Sequence, residues 1–173
     1  MEIRVIEESN EKDINIPNHP FALRGRLIVT YSGTKWEYRV VRYPAEQITE
    51  MTFPDENYVY SEMKDCVFLG AYEGNVCVGL AILSLSYGPC LYLSDLKVNR
   101  EWRGKGVGRK LIDAAMTVAA EKKCTGLLAI AQDNNLDACL FYLGCGFEIG
   151  GLDTAIYQGT KQEGKSDINF YKR

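Results

Sequence analysis

The stretch from Leu91 to Arg109, L-Y-L-S-D-L-K-V-N-R-E-W-R-G-K-G-V-G-R, limits the possible folds more than any other part of the chain. Leu91, Leu93, Leu96 and Val98 mark a strand, a polar turn follows, and a glycine-rich loop then opens directly into a helix. Gly104, Gly106 and Gly108 leave backbone amides without side-chain cover, and Arg103, Lys105 and Arg109 stand among them. A helix start carries unpaired N–H groups and the positive end of the helix dipole. The loop is therefore predicted to receive a polyanion such as pyrophosphate.

Other phosphate loops share this physics, and two of them do not fit. The chain contains no G-x-x-x-x-G-K-[ST] run. A dinucleotide fingerprint belongs in the first strand–helix unit of its fold, whereas this loop lies in the middle of the chain. An ordinary tight strand-to-helix turn is the remaining alternative.

The rest of the chain narrows the class. A length of 173 residues suits a single domain, and 46% hydrophobic with 25% charged residues suits a packed core rather than disorder. A net charge of -3 and the lack of any Lys/Arg block argue against nucleic acid as a partner. The mildly acidic balance favours a cationic substrate. None of the six cysteines lies in a C-x-x-C pair and His19 is remote from them, so they read as free, mostly buried thiols in a reducing compartment, with no metal. The N-terminus lacks a signal-peptide core, and no apolar run approaches the roughly 20 residues a membrane helix needs. A soluble, cytoplasmic protein with no membrane partner is expected, and a homodimer stays open.

Taken in order, residues 2–6 read as a strand and 7–24 as a loop or short helical turn. Arg26–Tyr31 and Trp36–Tyr43 read as a hairpin across Ser32-Gly33-Thr34. Residues 44–65 are a connection or a substrate-side loop. Val67–Tyr72 and Val76–Leu85 form a second hairpin across Glu73-Gly74-Asn75, and Gly88-Pro89 turns the chain into Leu91–Val98. Val107, Leu111, Ala115, Val118 and Ala119 recur at helical spacing, with Lys122 and Lys123 at the helix end and Gly126 beyond it. Leu127–Ala131 reads as a buried strand and Asn134–Leu143 as a helix ended by Gly144 and Gly146. Phe147–Ile149, 154–158 and 167–171 read as strands. This succession predicts an α/β fold with a mixed sheet.

Two motifs carry a family resemblance. Arg103-x-x-Gly106-x-Gly108 and, about thirty residues on, Asn135-x-x-Ala138-x-x-x-Tyr142-x-x-x-Gly146-Phe147 resemble the GNAT superfamily of N-acetyltransferases over roughly residues 66–150. The resemblance implies a mixed central sheet of about six to seven strands flanked by helices, with acetyl coenzyme A as co-substrate and no metal. It implies that Arg103, Gly104, Lys105, Gly106, Val107, Gly108 and Asn135 bind that co-substrate, with Val98 pairing the pantetheine arm and a backbone donor near Leu96 facing the oxyanion. Tyr142 becomes the general acid that protonates the departing thiolate. On its own, Tyr142 also reads as a core aromatic, and Asn135 as a helix-start residue. Many relatives place a Glu where this chain has Ser94, before a retained Asp95. Asp95 could orient the cationic amine, accept its proton through water, or simply end a strand pair.

The tail narrows the resemblance. Residues 146–164, above all Gly151–Tyr157, look like the matching run of the streptothricin (nourseothricin) acetyltransferases, as do Phe53-Pro54-Asp55 and Ser84-Leu85-Ser86-Tyr87. Those enzymes acetylate the β-amino group of the antibiotic's β-lysine, which implies a small polycationic substrate held by carboxylates and aromatic faces. Asp95, Asp153, Tyr87 and Tyr157 are the candidates. Asp153 also reads as a turn cap and Tyr157 as a strand aromatic, while Glu56, Glu62 and Asp65 read as solvated surface. The chain is then one N-acetyltransferase domain, 1–173, with core motifs at 66–150 and substrate-side segments at 26–65 and 151–173. Another cationic amine (a polyamine, an aminoglycoside or a protein N-terminus) is the alternative substrate, and a non-catalytic acyl-coenzyme A binding module the alternative class.

Overall fold

The computed structural model describes residues 1–85 and 88–173. In chain order the elements are β1 (Glu2–Val5), a 3-10 segment (Glu8–Asn15), β2 (Phe21–Leu23), β3 (Gly25–Tyr31), β4 (Trp36–Arg42) and β5 (Thr49–Met51). There follow β6 (Cys66–Glu73), β7 (Val76–Ser84), β8 (Leu91–Val98), α1 (Val107–Glu121), β9 (Leu127–Gln132), α2 (Leu136–Gly144), β10 (Glu148–Asp153) and β11 (Asp167–Lys172). The chain forms two compact units. One is Met1–Pro20 with Thr52–Leu127, and the other is Phe21–Met51 with Leu128–Arg173.

In the first unit, strands run in the order β1-β6-β7-β8, each pair antiparallel. One bulge decides what this sheet presents. Leu83 pairs with Leu93 but Ile82 pairs with Asp95, so Ser94 is an extra residue in β8. Side chains alternate along a strand, and an inserted residue reverses that alternation. Leu91 and Leu93 therefore share one face with Leu96 and Val98, while Asp95 and Lys97 turn to the other. The Leu93–Leu96 face meets α1. There Gly79 admits a close approach: a Cβ on it would lie 3.2 Å from Val107 and 3.3 Å from Leu111. The opposite face is covered by Ile6, Ile14 and Ile16, packed with Phe68, Tyr72, Leu80 and Ile82. Tyr72 closes that core with a polar tip, donating to Asp13 at 2.7 Å and accepting from Asn10 at 2.7 Å.

In the second unit, β9, β11 and β10 lie in that order, with β10 and β11 antiparallel. Helix α2 contributes Leu136, Cys139 and Tyr142 to a core shared with Phe147, Ile168 and Phe170. Its end is set by Gly146 at φ +84°, whose N–H returns to the Leu143 carbonyl at 3.0 Å. The β3–β4 hairpin is tied to this unit by the Leu27 N–H, which donates to the Asp133 carbonyl at 2.9 Å. It is tied again by the Arg26–Asp133 ion pair at 2.9 Å.

The four-stranded run β1-β6-β7-β8 in the first unit and the three-stranded run β9-β11-β10 in the second agree with the expected α/β class and sheet size. Two local expectations change. The segment 7–24 holds the 3-10 turns of Glu8–Asn15 and a short strand, β2, paired with β5. Residues 154–158 are a turn rather than a strand. Asp153 Oδ1 accepts from the N–H groups of Ala155 at 2.8 Å and Ile156 at 3.0 Å, which bends the backbone away from a ladder.

Candidate active site

The glycine loop leaves β8 through a 3-10 turn, Arg100–Trp102, and enters α1 at Gly106. Gly104 and Gly106 sit at φ +73° and +80°, the left-handed region that disfavours side chains, and a Cβ on either would meet nothing within 4 Å. Among the described residues no side chain caps the start of the 15-residue α1. That cradle fits a pyrophosphate. Val107 anchors it, 2% exposed against the sheet, and Gly108 is the second residue of the helix. Lys105 lies 5.0 Å from the Trp102 ring.

Arg103 does something the sequence reading missed. Its guanidinium donates to three backbone carbonyls: Val98 at 3.0 Å, Pro20 at 2.7 Å and His19 at 3.1 Å. This side chain fastens the loop to the end of β8 and to the segment before β2.

The bulge at Ser94 shapes the chemistry on the other face of β8. Ser94 is exposed and its Oγ donates to the Ile82 carbonyl at 3.2 Å, so it supplies no carboxylate. Asp95 is the carboxylate presented here. Its Oδ2 accepts from Tyr58 Oη at 3.2 Å and faces Lys97 Nζ at 3.2 Å. The Lys97 ammonium, with its side chain only 7% exposed, also bonds Glu56 Oε2. Asn18 Nδ2 donates to the same Glu56 oxygen at 3.0 Å, and its backbone N–H is held by Asp55 Oδ1 at 2.6 Å. Asn15 clamps both the N–H and the carbonyl of Tyr58, at 2.8 and 2.9 Å.

The two carboxylates are pushed apart in proton affinity. Burial raises Asp95 and Glu56 repels its charge, and together these outweigh Lys97 and the Tyr58 bond, leaving its pKa above the ordinary value. Burial also acts to raise Glu56, but the Lys97 hydrogen bond and charge, with help from its own backbone and Asn18, hold it below the ordinary value. Burial and the charge of Asp95 raise the Tyr58 phenol, so it stays a donor at neutral pH. Glu56 is thus a fixed counterion rather than surface decoration. Neither it nor Tyr58 was legible as a site residue, because their partners lie about forty positions away and only the proximity of Lys97 to Asp95 was local.

In the second unit, Asn135 caps α2, its Oδ1 accepting from the Ala138 N–H at 3.3 Å. Tyr142 is 8% exposed, with its ring 5.3 Å from Phe147, 5.5 Å from Phe170 and 5.5 Å from Phe141. The neighbouring Asn134, which the motif reading passed over, buries its Oδ1 with no hydrogen-bond partner among the described residues. Tyr157 sits in the turn after β10, donating to Asp167 at 2.7 Å and accepting from Gln132 at 2.9 Å. Burial raises its phenol to about 12. Asp153 is spent as a turn cap through one oxygen. Tyr87, also expected at the substrate, lies outside the described residues.

The strand, bulge, glycine loop and helix of the first unit, and separately the Asn-to-Tyr helix of the second, are features of an acyl-coenzyme A-dependent transferase. Residues 34–147 match the acetyltransferase (GNAT) family, and the chain belongs to that family. It is 30% identical to streptothricin acetyltransferase A of Bacillus subtilis over 94% of each chain. It is similar in structure to a Bacillus anthracis protein assigned as a streptothricin acetyltransferase and crystallised with acetyl coenzyme A. That likeness has a TM-score of 0.88 at 28% identity and covers 99% of this chain and 98% of the other. A nourseothricin acetyltransferase structure aligns with a TM-score of 0.79 at 26% identity, over 98% and 96% of the two chains. The protein is an acetyl coenzyme A-dependent N-acetyltransferase with the α/β GNAT fold.

Proposed function

We propose that this enzyme acetylates the β-lysine amino group of streptothricin antibiotics, inactivating them, and that residues 1–173 act as one N-acetyltransferase domain. The observation that carries the reading is the full-length likeness to streptothricin acetyltransferase A, which extends through the substrate-side segments and not only through the co-substrate motifs. The polar cluster on β8 supports it, since a polycationic amine needs a carboxylate that is not already neutralised. Glu56, Asp95 and Lys97 together carry one net negative charge when ionised.

Bound acetyl coenzyme A would supply an activated acetyl thioester. The amides of Gly104 to Gly108 would hold its pyrophosphate and Val98 its pantetheine arm, and Asn135 would contact the co-substrate. Asp95 receives the substrate ammonium and takes one proton, leaving a neutral amine whose lone pair attacks the acetyl carbon. As the C–N bond formed and the C–S bond broke, the backbone donor near Leu96 would face the oxyanion. Tyr142 would deliver its phenolic proton to the leaving sulfur, and the resulting phenolate would take the remaining extra proton from the acylated nitrogen, so that a neutral thiol and a neutral amide result. Asp153, Tyr157 and Tyr87 are the further proposed contacts to the substrate.

The test is thiol release from acetyl coenzyme A with streptothricin, spermidine, kanamycin and a peptide side by side, recording kcat and KM for each. High kcat/KM for streptothricin alone is the expected outcome. Comparable values across the four amines would assign the enzyme to general cationic amines and overturn the antibiotic reading.

A further inference from the structure

The Lys97 ammonium is an anomaly that the reaction as described does not use. It is almost fully buried on a strand, points away from solvent, and binds two carboxylates at once while its nearest aromatic neighbour, Tyr58, lies 5.7 Å from Nζ. A buried Lys–Glu pair is seldom worth its desolvation as a stability device, because apolar residues of similar size serve as well or better. A third charged group, Asp95, makes the arrangement more specific than a simple pair. Two carboxylates that share a site do not both ionise readily unless a cation stands between them.

Resting on the reading of Asp95 as the group that receives the amine, we propose that Lys97 is the positioning residue of that carboxylate: from inside the sheet it keeps Asp95 ionised beside Glu56, while Tyr58 fixes the shared oxygen. The bulge at Ser94 is what makes this possible: Asp95 and Lys97 share a face as alternate residues of β8, and the inserted residue turns that face away from Leu91 and Leu93, opposite Ile82 and Leu80. The charged or titratable groups facing Asp95 are Lys97 from its own strand and Glu56 and Tyr58 from the segment that crosses it. Its register partner on β7 is Ile82. The directions of the individual influences agree: Lys97 lowers the proton affinity of Asp95 and Glu56 raises it. Removing either partner should therefore move Asp95 in opposite senses.

The experiment follows the Asp95 carboxyl directly, by carbon-13 titration of the labelled full-length enzyme, with the resonance assigned by Asp95→Asn. Lys97→Met is expected to raise the Asp95 midpoint by about one pH unit or more, Glu56→Gln to lower it, and Lys97→Arg to restore most of the wild-type value. In acetyl coenzyme A-saturated enzyme with streptothricin, the acidic limb of kcat/KM should move with the titration. If Lys97→Met does not fold, the Glu56→Gln single variant and the Glu56→Gln/Lys97→Met pair provide the same comparison without facing carboxylates. Midpoints unchanged in the folded variants would overturn the role of Lys97 and leave the Asp95 reading intact. Shifted midpoints with an unmoved kcat/KM profile would overturn Asp95 as the receiving group, and this inference with it.

Discussion

The Arg103 guanidinium donates through Nη1 to the Pro20 carbonyl at 2.7 Å, across 83 residues of chain. The same side chain holds the end of β8 through Val98 and the neighbouring His19 carbonyl. It therefore sets where the glycine loop leaves the sheet. Arg103→Ala should lower thermal stability modestly, by about 1 kcal/mol for exposed charge-assisted bonds, and raise KM for acetyl coenzyme A several-fold with kcat little changed. Arg103→Lys should recover only part of this, since one ammonium cannot reach three divergent carbonyls. Calorimetry with steady-state kinetics checks both, and a direct phosphate-binding role would instead give loss of affinity with no loss of stability.

Gly106 separates a backbone requirement from a spatial one. Its φ of +80° penalises any side chain, while the space where a Cβ would stand is open. Gly106→Ala should cost about 1 kcal/mol in stability from the left-handed backbone alone. Gly106→Asp adds a negative charge at the helix start and should abolish acetyl coenzyme A binding in a calorimetric titration. Affinity retained in the Asp variant would remove the pyrophosphate cradle from this loop.

Tyr142 is both a core aromatic and the proposed acid, and the two roles respond differently to one atom. Tyr142→Phe keeps the ring contacts to Phe147 and Phe170 and removes only the hydroxyl. Turnover should fall on the order of 100-fold with acetyl coenzyme A affinity nearly unchanged. Unaltered kcat would leave Tyr142 a packing residue only.

Local signals carried far in this chain, and contacts between distant segments did not. The bounds of β8 and the glycine loop follow from hydrophobic alternation and glycine spacing, which need no tertiary context. Even the bulge leaves a trace, because the apolar rhythm of Leu91 and Leu93 slips by one before Leu96 and Val98. Asp153 shows the reverse: Thr154-Ala155-Ile156-Tyr157 has the composition of a strand, and a short-range carboxylate cap overrides it. The α1 terminus is a smaller case, where Lys123 and not a glycine takes the left-handed position at φ 58°. Glu56, Tyr58 and the anchoring role of Arg103 were out of reach, since each depends on which distant segment crosses β8.

The cysteines make the enzyme sensitive to alkali in a definite direction. Burial raises the Cys77 thiol to about 11 and the Cys139 thiol to about 12, against an ordinary value of 9.0. Below pH 9 both forms of the chain keep these protons, and the thiols do not affect the pH dependence of folding. Above it the unfolded chain releases them while the folded chain holds on, so stability falls as pH rises toward 11 and 12. Each such group adds about 1.4 kcal/mol per pH unit to the decline. Cys139→Ala should flatten the alkaline limb of denaturant-derived stability by roughly one group's slope, at a small constant loss from the emptied Sγ position. In the native enzyme at pH 8, Cys77 and Cys139 should resist iodoacetamide while Cys124, half-buried at the end of α1, reacts first. An alkaline slope identical in the Ala variant, or prompt alkylation of Cys139, would show that this thiol is not held protonated by the fold.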